Sequence, residues 1–139
     1  MRLRIACVSM TIAVAWGAVP AFADDLTGAT KLLCASVQAT ACTPEEDCAV
    51  GPPWAWDIPD FIEIDLDAKS LSTTKTSEKF RTTPIKYLER SEGLIILQGV
   101  EAGRAFSFVI TEATGFASVA VARDNRTVGL FGTCTPIAK

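Results

Sequence analysis

Phe61-Ile62-Glu63-Ile64-Asp65-Leu66-Asp67 decides the fold. Ile62, Ile64 and Leu66 point one way and Glu63, Asp65 and Asp67 the other, which is the period of two of a half-buried strand. The same reading continues toward the C-terminus. Arg81 to Arg90 predicts a strand that Pro84 places at an edge or bulge. Leu94-Ile95-Ile96-Leu97 predicts a strand apolar on both faces, and Ala105 to Thr111 one with Phe106, Phe108 and Ile110 aligned. Phe116 to Arg123 and Thr127 to Thr133 form a hairpin about Asp124-Asn125, a pair that tolerates positive φ. The links are short, which favours an antiparallel meander.

Upstream the pattern differs. Leu26, Ala29, Leu33 and Val37 recur at helical spacing, so residues 26–40 predict a helix capped by Asp25 or Thr27. Residues 41–60 read as a long irregular connection, and residues 68–79 as a mobile polar loop or weak strand. The expected fold is therefore α+β and mostly β. An N-terminal helix packs on a curved antiparallel meander sheet or small up-and-down barrel of about six strands, stapled by disulfides.

Residues 1–23 read as a signal peptide. Arg2 and Arg4 precede an apolar run from Ile5 to Val19, Pro20 breaks it, and Ala21-Phe22-Ala23 supplies a cleavage site. The run is shorter than the roughly 20 residues of a membrane span. Residues 24–139 then form a single β-rich domain, periplasmic or secreted, with no membrane span after cleavage. That domain is acidic, and unevenly so. Residues 24–68 hold ten acidic residues and one lysine, whereas residues 69–139 hold six acidic and ten basic residues. Packing of the two segments pairs these charges, and the acidic balance argues against a nucleic-acid partner. Histidine is absent, which excludes histidine-based catalysis and histidine metal ligands.

Cys7 lies within the signal, leaving Cys34, Cys42, Cys48 and Cys134. An even set in a small exported domain reads as two disulfides. No Cys-x-x-Cys pair exists to form a zinc or redox site, so no metal and no cofactor are expected. Three connectivities are open. Spacing favours Cys42–Cys48 as a local clamp and Cys34–Cys134 as a bridge from the predicted first helix to the last strand.

The order Cys34, Cys42, Cys48, then Phe61-x-x-Ile64-Asp65, Leu94 to Gly99 with Glu101, and Phe131-Gly132-x-Cys134 resembles a group of small uncharacterised exported proteins of alphaproteobacteria. The resemblance implies a periplasmic, β-rich domain and carries no function. A meander barrel is also similar in architecture to lipocalin-like binders and periplasmic lysozyme inhibitors, although no motif of either occurs here.

Trp54 and Trp56 flank Ala55 directly after Pro52-Pro53, beside Asp57 and Asp60. Indoles on a stiff acidic loop suit contact with a sugar, a small apolar ligand or a protein, and these four residues form the expected contact site. Plugging the barrel end is the alternative role for the two indoles. Glu63, Asp65 and Asp67 share a strand face but lack a calcium-loop pattern, so a solvated, ion-paired face is expected. Asp57, Asp60, Glu101 and Glu112 offer carboxylates without any spacing that joins two of them. The sequence thus points to an exported non-enzymatic binding or interaction module of unknown ligand. The alternatives are an inhibitor of a secreted lysozyme-like hydrolase, and a carboxylate-based enzyme on cell-wall or sugar substrates.

Overall fold

A computed structural model describes residues 24–77 and 80–137. Residues 1–23, on which the signal-peptide reading and Cys7 fall, lie outside the described residues. The strands are β1 (Lys31–Thr43), β2 (Glu46–Gly51), β3 (Phe61–Asp65), β4 (Ser70–Thr73), β5 (Thr82–Ser91), β6 (Leu94–Glu101), β7 (Arg104–Thr111), β8 (Phe116–Arg123) and β9 (Arg126–Pro136). All pairings are antiparallel. β1 and β3 to β9 close into an eight-stranded barrel through β1–β9 pairing, and β2 is an extra strand. β3 pairs with β1 from Lys31 to Ala35, and β2 takes the same edge of β1 from Ala39 onward.

The α+β expectation is thus corrected to an all-β barrel. The residues expected as a helix over 26–40 are strand from Lys31, and the only helical turn among the described residues is the 3-10 segment Pro53–Trp56. The misleading feature is a bulge. Leu32 and Cys34 face inward, an extra residue intervenes between Ser36 and Gln38, and Ala39 and Ala41 then face inward. That insertion breaks the period of two and mimics helical spacing. Val37, placed on the predicted apolar helix face, is instead 67% exposed. Local helix propensity yields because β1 finds hydrogen-bonding partners along both edges. Within residues 68–79, read as a mobile polar loop or a weak strand, Ser70–Thr73 is a strand, and residues 41–60, read as an irregular connection, contain the end of β1 and all of β2.

Gly132 fits the bulge. A Cβ there would lie 2.4 Å from the Ala35 carbonyl oxygen, so the β9 backbone must pass β1 without a side chain. Beside it, Cys34 and Cys134 pair directly in register and form one disulfide, closing the barrel seam across 100 positions of chain. The second disulfide, Cys42–Cys48, clamps the β1–β2 hairpin. Two disulfides place the folded domain in an oxidising environment rather than the cytosol. Among the described residues no helix is long and apolar enough to cross a membrane.

The barrel interior is packed. Leu32, Ile64, Ile95, Leu97 and Ile110 are essentially inaccessible to solvent. Each such side chain contributes roughly 1.5–3 kcal/mol on burial. The lower end is sealed by residues 24–30, which cross it with Leu26 fully buried. The Leu26 N–H donates to the Glu112 carbonyl at 2.8 Å. Arg90 pairs with Glu112 and donates at 2.7 Å to the carbonyls of both Leu26 and Ala29. The upper end is crossed instead by residues 52–60.

Candidate functional site

Residues 52–60 cross the upper end. Pro52 is extended and Pro53 begins the 3-10 turn, which Asp57 ends in the left-handed region at φ 59°. That reversal drops Ile58 into the barrel mouth, where it is buried with Ala39, Ala41, Val128 and Leu130. Trp56 packs against this cluster and covers Gly51, where a Cβ would meet its ring at 2.9 Å. It therefore plugs the barrel end, the alternative role for an indole in this loop. Trp54 turns outward and is 67% exposed.

Four charges hold this segment down. Arg104, on the inward face of β7, places Nη1 3.4 Å from Asp57 Oδ2 and Nη2 3.5 Å from Glu101 Oε2. Arg81 places Nε 3.3 Å from Glu101 Oε1 and Nη1 3.9 Å from Asp57 Oδ2. Both arginines also donate to the Asp57 carbonyl oxygen, Arg81 at 3.4 Å and Arg104 at 3.2 Å. The Thr83 hydroxyl donates to Glu101 at 2.9 Å. Beneath the network lies a cavity of about 60 Å³ lined by Ile62, Phe106, Phe108, Val119, Val121 and Leu130. That is space for a few waters at about 10–15 Å³ each, not for a lipid-sized ligand. Phe106 and Phe108 meet edge to face at 5.8 Å and fill the remainder.

An open groove of about 410 Å³ lies outside the capping segment, between it and residues 73–77. Trp54 and the 50% exposed Phe61 supply its aromatic surfaces, Asp57 and Asp60 its carboxylates, and Thr74, Thr76 and Ser77 its hydroxyls. Of the four expected contact residues, Trp54, Asp57 and Asp60 come together here, and Trp56 does not. Phe61 escaped the sequence reading because it begins the strand that decides the fold. Its outward position was nonetheless legible from the alternation with Ile62 and Ile64.

The other carboxylates separate. Asp57 and Glu101 meet through shared guanidiniums, which take both Glu101 oxygens and Asp57 Oδ2, while Glu112 lies at the opposite end with Arg90. Asp65 takes a 3.0 Å ion pair from Lys31 and a 2.8 Å hydrogen bond from the Ala68 N–H. These contacts, the Ala68 hydrogen bond first, hold its carboxyl below the ordinary value of 3.8. Among the described residues no group of three metal-ligating side chains forms. No protein-family model, curated protein or solved structure matches this chain.

Proposed function

We propose that this chain is an exported, non-enzymatic binding module that takes a glycan-like ligand in the Trp54–Phe61 groove. The carrying observation is the pairing of two exposed aromatic surfaces with carboxylates and hydroxyls in one open groove above a packed barrel. Aromatic faces stack on the apolar face of a sugar ring, and the flanking oxygens accept and donate hydrogen bonds to its hydroxyls. The packed interior shifts weight from an enclosed apolar ligand to this surface. Export through residues 1–23 and a periplasmic location, as for the alphaproteobacterial group it resembles, agree with the two disulfides. The test is a binding isotherm with soluble chitooligosaccharides and solubilised cell-wall glycan. Saturable binding that Trp54→Ala weakens at least tenfold supports the reading. No binding at millimolar ligand, or equal binding by Trp54→Ala, removes it.

A second reading, inhibition of a basic secreted hydrolase such as a lysozyme, is favoured by the β1–β2 tip. Glu45, Glu46 and Asp47 are all exposed there on a hairpin fixed by Cys42–Cys48. A preorganised acidic tip suits a basic cleft. Absence of lysozyme inhibition at micromolar protein removes that reading.

A further inference from the structure

The central outward-facing positions of β6 to β9 carry no charge; charges stand only at the margins of this wall, Asp24 against Thr135, Lys86 on neighbouring β5, and Arg123 and Arg126 at the hairpin end. Every second residue from Leu94 to Val100, Ala105 to Thr111, Phe116 to Ala122 and Thr127 to Thr135 faces outward, and none is Asp, Glu, Lys or Arg. None of these positions is buried. A surface at about 25–35% charged residues would place about five charges on this wall. Elsewhere the surface follows that expectation, with Glu63 and Asp65 on β3, while Lys86 and Glu89 on β5 flank the β6 margin of the wall.

The wall also has relief. Phe131 and Phe116 project from it, 65% and 59% exposed. One row above Phe131, small residues leave an open depression of about 700 Å³, its floor including Ala105, Ala120, Ala122 and Gly129 and its β5 rim Lys86 and Tyr87. Phe131 pairs with Ser118 and Gly129 with Ala120, so knob and hollow occupy adjacent rows of the same two strands. A two-fold axis lying in the face between those rows exchanges them and sets each knob over the other copy's hollow.

We infer that this wall is where two copies of the chain associate face to face. The charge distribution favours a second copy. The acidic protein meets its own kind without like-charge contact only where its charges are missing, and interface centres are depleted in charge and enriched in aromatics. Four strands of eight residues make a face of roughly 500 Å² in projection. Side-chain relief brings its accessible area toward the roughly 800 Å² per partner of a standard interface.

The test is sedimentation velocity on the full chain, expressed with residues 1–23 in place and recovered from the periplasm. Wild type is expected as a concentration-dependent dimer. Phe131→Lys and Ala120→Glu are each expected to weaken association at least tenfold. Both positions are exposed, and circular dichroism verifies that each variant folds; Gln98→Lys on the same wall serves if either does not. Mixing the two variants is expected to restore a heterodimer. The introduced ammonium of one copy then meets the introduced carboxylate of the other, while the second contact keeps its native pair. Ser72→Glu, on the opposite wall, is expected to leave the dimer unchanged. A monomer at hundreds of micromolar overturns the inference, as does a dimer indifferent to both wall variants. Failure of the mixture to associate overturns the knob-and-hollow arrangement.

Discussion

Arg104 reaches Asp57 twice, through its carboxylate at 3.4 Å and its backbone carbonyl at 3.2 Å. One inward-facing side chain of β7 thereby fixes the segment that caps the barrel and carries Trp54. Arg104 is only 11% exposed and also holds Glu101, so its removal leaves both carboxylates to Arg81 alone among the arginines. Arg104→Gln is expected to destabilise by about 1–3 kcal/mol, below the roughly 3–5 kcal/mol for breaking a fully buried pair, because Asp57 is 58% exposed and Arg81 still reaches both carboxylates. Urea unfolding measures this. Asp57→Asn, at a 58% exposed carboxylate, is expected to cost under about 1 kcal/mol.

Gly132 gives a steric prediction. Its absent Cβ would fall 2.4 Å from the Ala35 carbonyl, a backbone atom that cannot move aside without shifting the bulge. Gly132→Ala is expected to destabilise by about 1–3 kcal/mol, as overpacking does elsewhere. The midpoint of thermal unfolding reports it, and an unchanged midpoint contradicts the bulge geometry.

The two disulfides differ in what they enclose. In the chain-entropy account, Cys34–Cys134 contributes about 4–5 kcal/mol and Cys42–Cys48 about 2 kcal/mol. The Cys34→Ser/Cys134→Ser pair is therefore expected to lower stability more than the Cys42→Ser/Cys48→Ser pair. An intact mass about four daltons below the fully reduced value verifies both bridges beforehand.

Acid stability follows from Asp65. Its folded-state carboxyl is held below 3.8, so its contribution is present above that value and is lost as pH falls through the lowered one. Wild type is expected to exceed Asp65→Asn in stability at neutral pH, with the gap closing in strong acid. A gap independent of pH contradicts the pairing with Lys31 and Ala68.

β3 and β6 to β9 were legible because each keeps an unbroken period of two, whereas β5 carries a bulge between Ile85 and Tyr87. Ile62 and Ile64, Ile95 and Leu97, and Phe108 and Ile110 all face inward as their alternation indicates. β1 was illegible because the bulge at residues 36–38 destroys that period, and because its partner β9 lies about 100 residues away. The candidate site was half legible. Trp54 and Asp60 announce themselves as aromatic and acidic residues after two prolines. The clamp by Arg81 and Arg104 is set by strand register and leaves no local signal. Trp56 resembles Trp54 in sequence and separates from it only through the 3-10 turn, which sends one indole out and the other onto Gly51.

That divergence supplies the most direct measurement. The two indole N–H signals are followed by ¹⁵N-resolved NMR while soluble cell-wall glycan is titrated into the protein. Glycan recognition at this groove predicts saturable movement of the Trp54 indole signal with the Phe61 backbone amide, while the Trp56 signal stays in place. Movement of neither indole, or of Trp56 alone, would contradict recognition at the Trp54–Phe61 groove.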